Sequence, residues 1–231
     1  MAILYIIGTP IGNLGDISFR AVEILKTVDM VACEDTRRTL KLLSHLGIRV
    51  PLLSCRAHNE EIAAAKVIAA LNEGKTLAYA SDAGTPALSD PGAALVRLAV
   101  EAGHRALPIP GPSAFAALVS VSGGTDKTVV FEGFLSPKAG RRRSRLRELL
   151  AMDAAFVLYE SPFRILKLLE DLADLDKERY ICVGREMTKV HEEYLRGPVT
   201  EISLLLAEKT KQLGEFSVFV SGKKNDKRVN Y

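Results

Sequence analysis

Short apolar runs alternate with helical patterns along the first half of the chain, and this alternation limits the possible folds more than any other feature. The first run, Ile3–Ile7, predicts a strand, and an amphipathic helix is predicted from Ser18 to Val28. Strands that alternate with helices of this length imply crossover connections and a mainly parallel sheet with helices on both faces. The pattern continues with predicted strands at Met30–Cys33, Val50–Ser54, Thr76–Ala80 and Arg105–Ile109, and helices at Thr36–Leu46, Asn59–Glu73 and Ala93–Glu101.

The pattern changes after a helix predicted at Ser113–Ser120. Gly123 and Gly124 interrupt the chain there, and extended segments become more frequent. We therefore predict an N-terminal α/β domain over residues 1–119 and a C-terminal mixed α/β domain over residues 120–231, whose basic end from Lys223 frays. The second domain has predicted strands at Val129–Phe134, Ala155–Tyr159, Tyr180–Arg185, Glu193–Arg196 and Phe216–Ser221, and helices at Arg142–Met152, Phe163–Leu175 and Thr200–Lys211.

Composition excludes several classes of protein. Aromatic residues make up 6% of the chain and Trp is absent, so any RNA recognition must depend on phosphate contacts more than on base stacking. The three cysteines have no CxxC spacing, which argues against a disulfide framework or a zinc site and favours the reducing cytoplasm. No secretory signal and no apolar run of the roughly 18 to 20 residues of a membrane helix is evident, so we expect a soluble protein.

Three loops rich in glycine and proline follow predicted strands. They are Gly8–Leu14, Ser81–Pro86 and Pro108–Ser113. Ligands of open α/β sheets bind outside the carboxyl ends of the strands, so these loops face one binding edge. Glycine lets the backbone approach a ligand closely, and proline keeps the loop rigid. Plain turns would explain one such loop, but three on one edge favour a preformed pocket.

The first loop narrows the choice of ligand. Its second glycine, Gly12, comes four residues after Gly8, and no Gly-Lys-Ser/Thr follows, so neither the dinucleotide fingerprint nor the P-loop is present. A small adenosine-type cofactor held without a pyrophosphate cradle fits best. Asp82 is suited to accept hydrogen bonds from a ribose or an ammonium group, and the main chain around Thr85 and Ser113 is suited to hold a carboxylate or an adenine edge.

The order and spacing of these motifs resemble the ribosomal RNA small subunit methyltransferase I family over nearly the whole chain. The resemblance lies in Tyr5–Leu14 (YIIGTPIGNL), Glu34–Arg37 (EDTR), Ser81–Pro86 (SDAGTP), Ser89–Gly92 (SDPG), Pro110–Ala114 (PGPSA), Phe131–Leu135 (FEGFL), Tyr159–Pro162 (YESP), Arg185–Glu186 and Thr188–Lys189.

The resemblance implies a two-domain α/β fold like that of the tetrapyrrole methylases, in other words a class III methyltransferase. It also implies methyl transfer from S-adenosylmethionine to the 2'-hydroxyl of a cytidine in the decoding centre of 16S rRNA, in the small ribosomal subunit. A homodimer is typical of this fold, and the cofactor is expected in a cleft between the domains. By the same resemblance the cofactor contacts Ile11, Asp82, Thr85, Ser113 and Ala114, and Tyr159 closes the cleft from the second domain.

Methyl transfer to a hydroxyl needs an aligned donor and acceptor and a group that takes the hydroxyl proton. Candidates for the base or for positioning the ribose are Glu34, Asp35, Glu160 and Lys189. Arg37 and Arg185 are candidates for phosphate binding or orientation. Asp35 equally suits a helix cap before Thr36, and Lys189 equally suits a surface charge.

A basic segment provides an independent indication of a polyanionic partner. It contains Lys138, Arg141, Arg142, Arg143, Arg145 and Arg147 and no acidic residue. Arginine's planar fork suits phosphate, and cations near a helix N-terminus oppose the helix dipole, so an anionic partner is expected to compensate them. We predict RNA contacts by Lys138, Arg141, Arg142, Arg143 and Arg145, together with Arg37. The alternative is a solvated helix start.

Two other functions remain open at this stage. A C-methyltransferase acting on a corrin or siroheme precursor would share the fold, and its polycarboxylate substrate would also suit the arginines. A non-catalytic ribosome-binding module would keep the fold without turnover, but the intact glycine and proline loops argue against it.

Overall fold

The computed structural model describes residues 1–56, 60–208 and 213–222 of the chain. Contacts divide the chain into two compact units, Met1–Ser113 and Ala114–Tyr231. The sequence prediction puts the boundary after residue 119. In the structure the helix Ala114–Val121 belongs to the second unit, because it packs against the strand Phe216–Val220.

The first unit is a five-stranded sheet of parallel strands in the order β3-β2-β4-β1-β5. The mainly parallel α/β sheet predicted from the alternating pattern is confirmed. Strand β1 lies between β4 and β5, so it is flanked on both sides. The strands are β1 (Ile3–Ile7), β2 (Met30–Cys33), β3 (Leu52–Ser54), β4 (Leu77–Ala80) and β5 (Arg105–Ile109), and the helices are α1 (Phe19–Thr27), α2 (Thr36–His45), α3 (Glu60–Asn72) and α4 (Ala93–Glu101).

Helices cover both faces of this sheet. Successive side chains of a strand point to opposite faces, and in β1 the fully buried Leu4 joins a core cluster with residues of α3 and α4. Ile7, three residues later, joins the opposite cluster with Ala21 and Leu25 of α1 and Leu43 of α2. Because all five strands are parallel, their carboxyl ends meet at one edge of the sheet, and the loops that follow them lie together there.

The second unit contains a mixed sheet in the order β6-β7-β10-β8-β9. Strands β6 and β7 pair in parallel, and the other pairs are antiparallel, so the predicted mixed α/β unit is confirmed. One buried cluster packs the helices against this sheet. In chain order the elements are α5 (Ala114–Val121), β6 (Val129–Phe134), α6 (Ala139–Ala151), β7 (Ala155–Glu160), α7 (Ile165–Leu175), β8 (Tyr180–Arg185), β9 (Glu193–Pro198), α8 (Val199–Ala207) and β10 (Phe216–Val220).

Helix α6 begins at Ala139, three residues before the predicted start at Arg142. Its buried stripe consists of Arg142, Leu146, Leu149 and Leu150, which have helical spacing. The predicted start was wrong because the first buried residue of the stripe is an arginine. The apolar pattern in the sequence therefore does not extend into the first turn of the helix. The predicted helix start at Asn59, the predicted helix end at Lys211 and the predicted frayed tail from Lys223 lie outside the described residues.

The three cysteines are buried, and none of them forms a disulfide bond within the described residues. Burial raises the pKa of Cys182 to about 11 and also raises the pKa of Cys33, so both stay protonated and unreactive at neutral pH. Within the described part of the chain, no helix has the length and apolar character that a bilayer crossing requires, and no group of three or more His, Cys, Asp or Glu side chains is arranged to hold a metal ion.

Candidate active site

The first and third of the glycine- and proline-rich loops contact each other through their backbones at the carboxyl edge of the first sheet. A Cβ on Gly111 would stand 2.5 Å from the carbonyl oxygen of Gly8, and a Cβ on Gly8 would stand 2.9 Å from the Cα of Gly111. Real side chains do not tolerate such distances, so both positions require glycine. The close approach places two main chains in direct contact where the strands end.

The second loop is hydrogen-bonded to the first. Thr9 and Gly84 exchange main-chain hydrogen bonds, from the Thr9 N–H at 2.9 Å and from the Gly84 N–H at 3.0 Å. The buried Thr9 hydroxyl donates to the Ser81 carbonyl at 3.2 Å, and the Thr85 hydroxyl donates to the Pro112 carbonyl at 3.3 Å. The three loops therefore form one connected structure, which we call the loop clasp.

The predicted cofactor residues divide between the two units. Ile11, Asp82, Thr85 and Ser113 lie on the loop clasp in the first unit, and a Cβ on Gly84 would be 3.4 Å from Cγ2 of Ile11. The Ser113 hydroxyl is buried and has no hydrogen-bond partner in the described structure. A buried polar atom without a partner is uncommon and suggests that a ligand satisfies it. Ala114 begins α5 and Tyr159 is the next-to-last residue of β7, both in the second unit.

The stretch after the second loop contains unusual backbone. Ala87 and Ser89 have φ angles of 67° and 65°, in the left-handed region that few non-glycine residues adopt. Gly92 follows with φ 125°, and a Cβ there would stand 2.7 Å from the Tyr79 ring. Residues in such conformations concentrate at functional sites. This stretch carries Asp90, whose role was not predictable from the sequence, although it belongs to the Ser89–Gly92 motif.

Four acidic side chains, Glu34, Asp35, Asp82 and Asp90, lie at this edge, and we call them the carboxylate cluster. The Asp35 N–H donates to Oδ1 of Asp82 at 2.9 Å, and the Asp82 N–H donates to the Glu34 carboxylate. Asp90 forms a hydrogen bond with Ser81, and its carboxylate is repelled by the negative charges of Glu34 and Asp82. The cluster thus joins the loop after β2 to the loop after β4.

The members of the carboxylate cluster differ in acidity. Burial, followed by the charge of Asp82, raises the pKa of Glu34. Burial and the charges of Glu34 and Asp82 raise the pKa of Asp90 to about 6. The side chain and the main-chain N–H of Arg37 instead hold the pKa of Asp35 well below its usual range. Glu34 is therefore a better proton acceptor than Asp35, because a carboxylate bound to a guanidinium is a weak base.

Asp35 caps helix α2, as one of the two sequence interpretations predicted. Its side chain accepts from the Arg37 N–H at 2.9 Å, and its two oxygens bind Nε and a terminal nitrogen of Arg37 at 3.0 and 2.6 Å. The Arg37 side chain is 80% exposed, yet its fork is occupied by Asp35. Two other arginines face the cluster: Arg38 lies 3.5 Å from Oδ2 of Asp82, and Arg56 donates to the Glu34 carbonyl at 3.2 Å.

A pocket of about 260 Å³ opens beside the carboxylate cluster, within the first unit. The first loop, the start of α2 and the second loop form its walls. Its basic wall could not be predicted from the sequence, because nothing in the chain order shows which face of α2 meets the first loop. The pocket is lined by Thr9, Pro10, Leu14, Arg38, Thr39, Lys41, Leu42, Ser81 and Asp82.

In the second unit, Tyr159 belongs to an aromatic group formed by residues of α5, β6 and β7. Its ring makes edge contacts with Phe131 at 5.1 Å and with Phe134 at 5.8 Å, and Phe131 contacts Phe115 at 5.3 Å. The next residue, Glu160, has a buried carboxylate that pairs with Arg164 at 2.6 Å and accepts from the Ser161 N–H at 2.7 Å. Glu160 is thus occupied in holding the turn after β7.

Lys189 lies between two carboxylates in the second unit. Its Nζ is 2.7 Å from Glu186 and 3.0 Å from Glu215. Burial alone would lower the pKa of Lys189, but its hydrogen bonds to Glu186 and Glu215 raise it overall. A lysine held cationic in this way cannot accept a proton, so the geometry argues against Lys189 as the base. Arg185 pairs with Glu193 at 3.4 Å and donates to the Leu213 carbonyl at 2.8 Å.

The basic segment of α6 is less open to RNA than its sequence indicates. Arg142 is buried, and its guanidinium pairs with the buried Asp171 at 2.7 Å, so its prediction as an RNA contact was wrong. Arg143 binds Asp171 and Asp174, and Arg145 binds Glu132 and Glu148.

Internal carboxylates, three on β6 and α7 and one on α6 itself, thus neutralise half of the segment. Lys138, Arg141 and Arg147 remain exposed, and none has an ion pair within the described residues. These three cations, Lys138 at the N-cap of α6 and Arg141 and Arg147 within the helix, are available for contact with phosphate.

Comparisons with known proteins agree with the fold and the motifs. Residues 3–203 match the tetrapyrrole (corrin/porphyrin) methylases. The ribosomal RNA small subunit methyltransferase I of Borrelia garinii is 46% identical over 219 residues, which are 94% of this chain and 98% of that protein. The protein of the same name from Xylella fastidiosa is 47% identical over 221 residues, covering 95% of this chain and 81% of that protein.

A solved structure supports the fold independently. The uroporphyrin-III C-methyltransferase of Thermus thermophilus aligns with a TM-score of 0.65 at 17% identity, covering 95% of this chain and 94% of that chain. Identity this low carries the fold alone. Together with the family match, it confirms the tetrapyrrole-methylase-like fold that the motifs imply.

Proposed function

Because the chain belongs to the ribosomal RNA small subunit methyltransferase I family of the tetrapyrrole methylases, we propose that it methylates 16S rRNA with S-adenosylmethionine as donor. The acceptor is the 2'-hydroxyl of a cytidine in the decoding centre of the small ribosomal subunit. The observation that carries this proposal is the loop clasp beside the carboxylate cluster, which combines a rigid ligand edge with a proton acceptor.

The residues of the loop clasp fit the donor. S-adenosylmethionine supplies a methyl group on a sulfonium, which needs no activation by the protein. The glycine contact between Gly8 and Gly111 leaves main chain without side chains at the edge, and the Ser113 hydroxyl offers an unused hydrogen-bonding group. Ile11, Asp82 and Thr85 are the other cofactor residues that we propose in the first unit. Ala114 and Tyr159 are proposed from the resemblance.

Glu34 is the base that we propose. In the reaction the ribose oxygen gains the methyl carbon, the carbon–sulfur bond of the donor breaks, and the 2'-hydroxyl proton must leave. A carboxylate that is partly withdrawn from water binds a proton more readily, and Glu34 is in this state while Asp35 is not. Asp82 acts as a positioning residue, because its main chain and side chain hold Glu34 and Asp35 in place.

Exposed cations are proposed to bind the RNA backbone. Lys138 at the N-cap of α6, and Arg141 and Arg147 within the helix, are exposed and lack ion pairs within the described residues. This suits phosphate contacts that position an RNA without reading its sequence. A ribosomal substrate also implies work in the cytoplasm. We further propose a homodimer on the basis of the resemblance, and light scattering of the purified protein measures its mass.

A labelled-methyl assay tests the proposed function. The purified protein is incubated with tritiated S-adenosylmethionine and, in parallel, with small ribosomal subunits lacking the modification or with uroporphyrinogen III. We expect label in the 16S rRNA and none in the tetrapyrrole. Label in the tetrapyrrole alone would establish the C-methyltransferase alternative. Binding of subunits without transfer to either acceptor would establish a non-catalytic module.

A further inference from the structure

The pocket beside the carboxylate cluster has two chemically distinct walls. Pro10, Leu14 and Leu42 form an apolar side, with Leu14 40% exposed and Leu42 buried. Arg38 and Lys41 form a cationic side. An apolar wall facing a cationic wall suits a ligand that combines a flat ring or sugar with an anionic group.

The two cations of the pocket are available for a ligand. They are three residues apart on α2, which places them on the same face of the helix. The Arg38 side chain is 63% exposed, and its ion pair with Asp82 is long, at 3.5 Å. Lys41 is exposed and has no ion pair among the residues that the structure describes. Arg37, the arginine of α2 that was predicted from the sequence to contact RNA, has its guanidinium bound by Asp35 instead.

The size of the pocket limits the ligand. Its volume of about 260 Å³ is slightly below the range of roughly 300 to 1,000 Å³ that is usual for small-molecule sites. One nucleotide can enter a pocket of this size, whereas a folded helix of RNA cannot. A single nucleotide that inserts here must come from a single strand or be turned out of its stack.

The pocket adjoins the proposed base. Asp82 lines the pocket, and its N–H donates to the Glu34 carboxylate. An anionic group bound at Arg38 and Lys41 would therefore leave the rest of the ligand near Asp82, the lining residue that contacts Glu34. This arrangement, with the cations next to the proposed base, suits a nucleotide, because its phosphate is adjacent to its ribose hydroxyls.

We propose that this pocket holds one nucleotide of a single-stranded RNA segment, with a backbone phosphate on Arg38 and Lys41 and the base or sugar against Pro10, Leu14 and Leu42. The proposal rests on the proposed function in taking that nucleotide as the methyl acceptor or its neighbour. Whether a nucleotide binds in the pocket can be measured without a methylation assay, so the two proposals can be tested separately.

Two sets of variants distinguish the effect of the pocket cations from the effect of the protein's overall positive charge. R38A/K41A removes the cationic wall, and K41A alone leaves the ion pair between Arg38 and Asp82 in place. The control is K26A/R49A, which removes the same charges. Lys26 is in the last turn of α1 and Arg49 precedes β3, so both lie toward the opposite edge of the sheet. Thermal unfolding verifies that all variants are folded.

The first measurement follows backbone amide NMR signals while cytidine 5'-monophosphate or cytidine is added. We expect the monophosphate to shift the signals of Thr39 and Leu42, cytidine to shift them less, and R38A/K41A to lose the difference between the two ligands. Equal shifts by both ligands in the wild-type protein, or unchanged shifts in R38A/K41A, would contradict nucleotide binding in this pocket. This outcome does not depend on methylation.

The second measurement is single-turnover methylation of small ribosomal subunits. We expect R38A/K41A to raise the half-saturating subunit concentration about tenfold, K41A to raise it less, and K26A/R49A to leave it unchanged. The affinity for S-adenosylmethionine should not change in any of them. If R38A/K41A matches the control, the inference fails while the proposed function stands. If the wild-type protein transfers no methyl group, the proposed function fails, and the NMR result alone shows whether the pocket binds a nucleotide.

Discussion

The Asp35 N–H donates to Oδ1 of Asp82 across 2.9 Å, and this bond joins the loop after β2 to the loop after β4. The two residues are 47 positions apart, so the bond fixes where the start of α2 stands relative to the loop clasp. Substitutions of Asp82 therefore test whether the clasp is a binding site.

Asp82→Ala is expected to weaken S-adenosylmethionine binding about tenfold, because the loop after β4 loses its hydrogen bond to Asp35. Asp82→Asn keeps an oxygen acceptor at the same place and should therefore weaken S-adenosylmethionine binding less than Asp82→Ala does. Isothermal titration calorimetry measures both affinities. An unchanged dissociation constant in Asp82→Ala would remove Asp82 from the cofactor site.

Glu34→Gln is expected to reduce turnover by about 10²- to 10⁴-fold, the usual contribution of a general base, with little change in cofactor affinity. Asp35→Asn is the matched control, since asparagine caps a helix as well as aspartate does. It should retain much more activity. Equal methylation rates for wild type and Glu34→Gln on small ribosomal subunits would rule Glu34 out as base and as positioner of the ribose.

The raised pKa of Asp90 predicts a pH-dependent stability. Asp90 titrates near 6 in the folded protein against 3.8 as its ordinary value. The folded state therefore binds more protons between these values, and the contribution of Asp90 to stability falls as pH rises from about 4 to about 6. Above that range the buried charge opposes folding.

Asp90→Asn should accordingly unfold at a higher temperature than wild type at pH 7.5, by about 2–4 °C after allowance for partial exposure, and the gain should vanish near pH 4. Differential scanning calorimetry at both pH values measures this. A difference that stays constant with pH would mean that Asp90 titrates normally.

Gly111→Ala is expected to disrupt the loop clasp. The new Cβ would lie 2.5 Å from the Gly8 carbonyl oxygen, and neither backbone can move without separating the loops. We expect a loss of about 1–3 kcal/mol of stability together with weaker cofactor binding. Gly140→Ala is the control: it has open space, lies in α6 and should be neutral or stabilising by up to about 1 kcal/mol. Unaltered cofactor binding by a folded Gly111→Ala protein would contradict a role for the clasp.

The arginines of α6 should separate into two kinds. Arg142→Ala breaks the buried pair with Asp171 and should cost about 3–5 kcal/mol in urea unfolding. R141A/R147A should leave stability unchanged and lower the salt slope of RNA binding by about 1.4, if each residue contacts one phosphate of a single strand. An unaltered slope in R141A/R147A would mean that Arg141 and Arg147 do not contact RNA phosphates.

Much of the fold could be predicted from the sequence, because periodicity determines where strands and helices form. The bounds of β1, β2 and α4 agree with the prediction to the residue. The position of β1 between β4 and β5 could not be predicted, since strand order depends on contacts between distant segments.

The site divides in the same way. The three loops were visible as glycine and proline motifs, whereas the roles of Arg142 and Asp90 were not. Arg142 looks solvent-exposed until Asp171, 29 residues later, is seen beside it. Asp90 gains its raised pKa from burial and from Glu34, 56 positions away, and no local pattern records that proximity.

Mass spectrometric mapping of 16S rRNA tests the central claim most directly. Small ribosomal subunits from cells lacking the protein are treated with S-adenosylmethionine, with and without the purified chain, and the nuclease fragments are compared. The account predicts that one decoding-centre fragment gains the mass of a single methyl group, located on the ribose of a cytidine, only when the protein is present. Identical fragment masses in both samples, or a methyl group on a base, would contradict it.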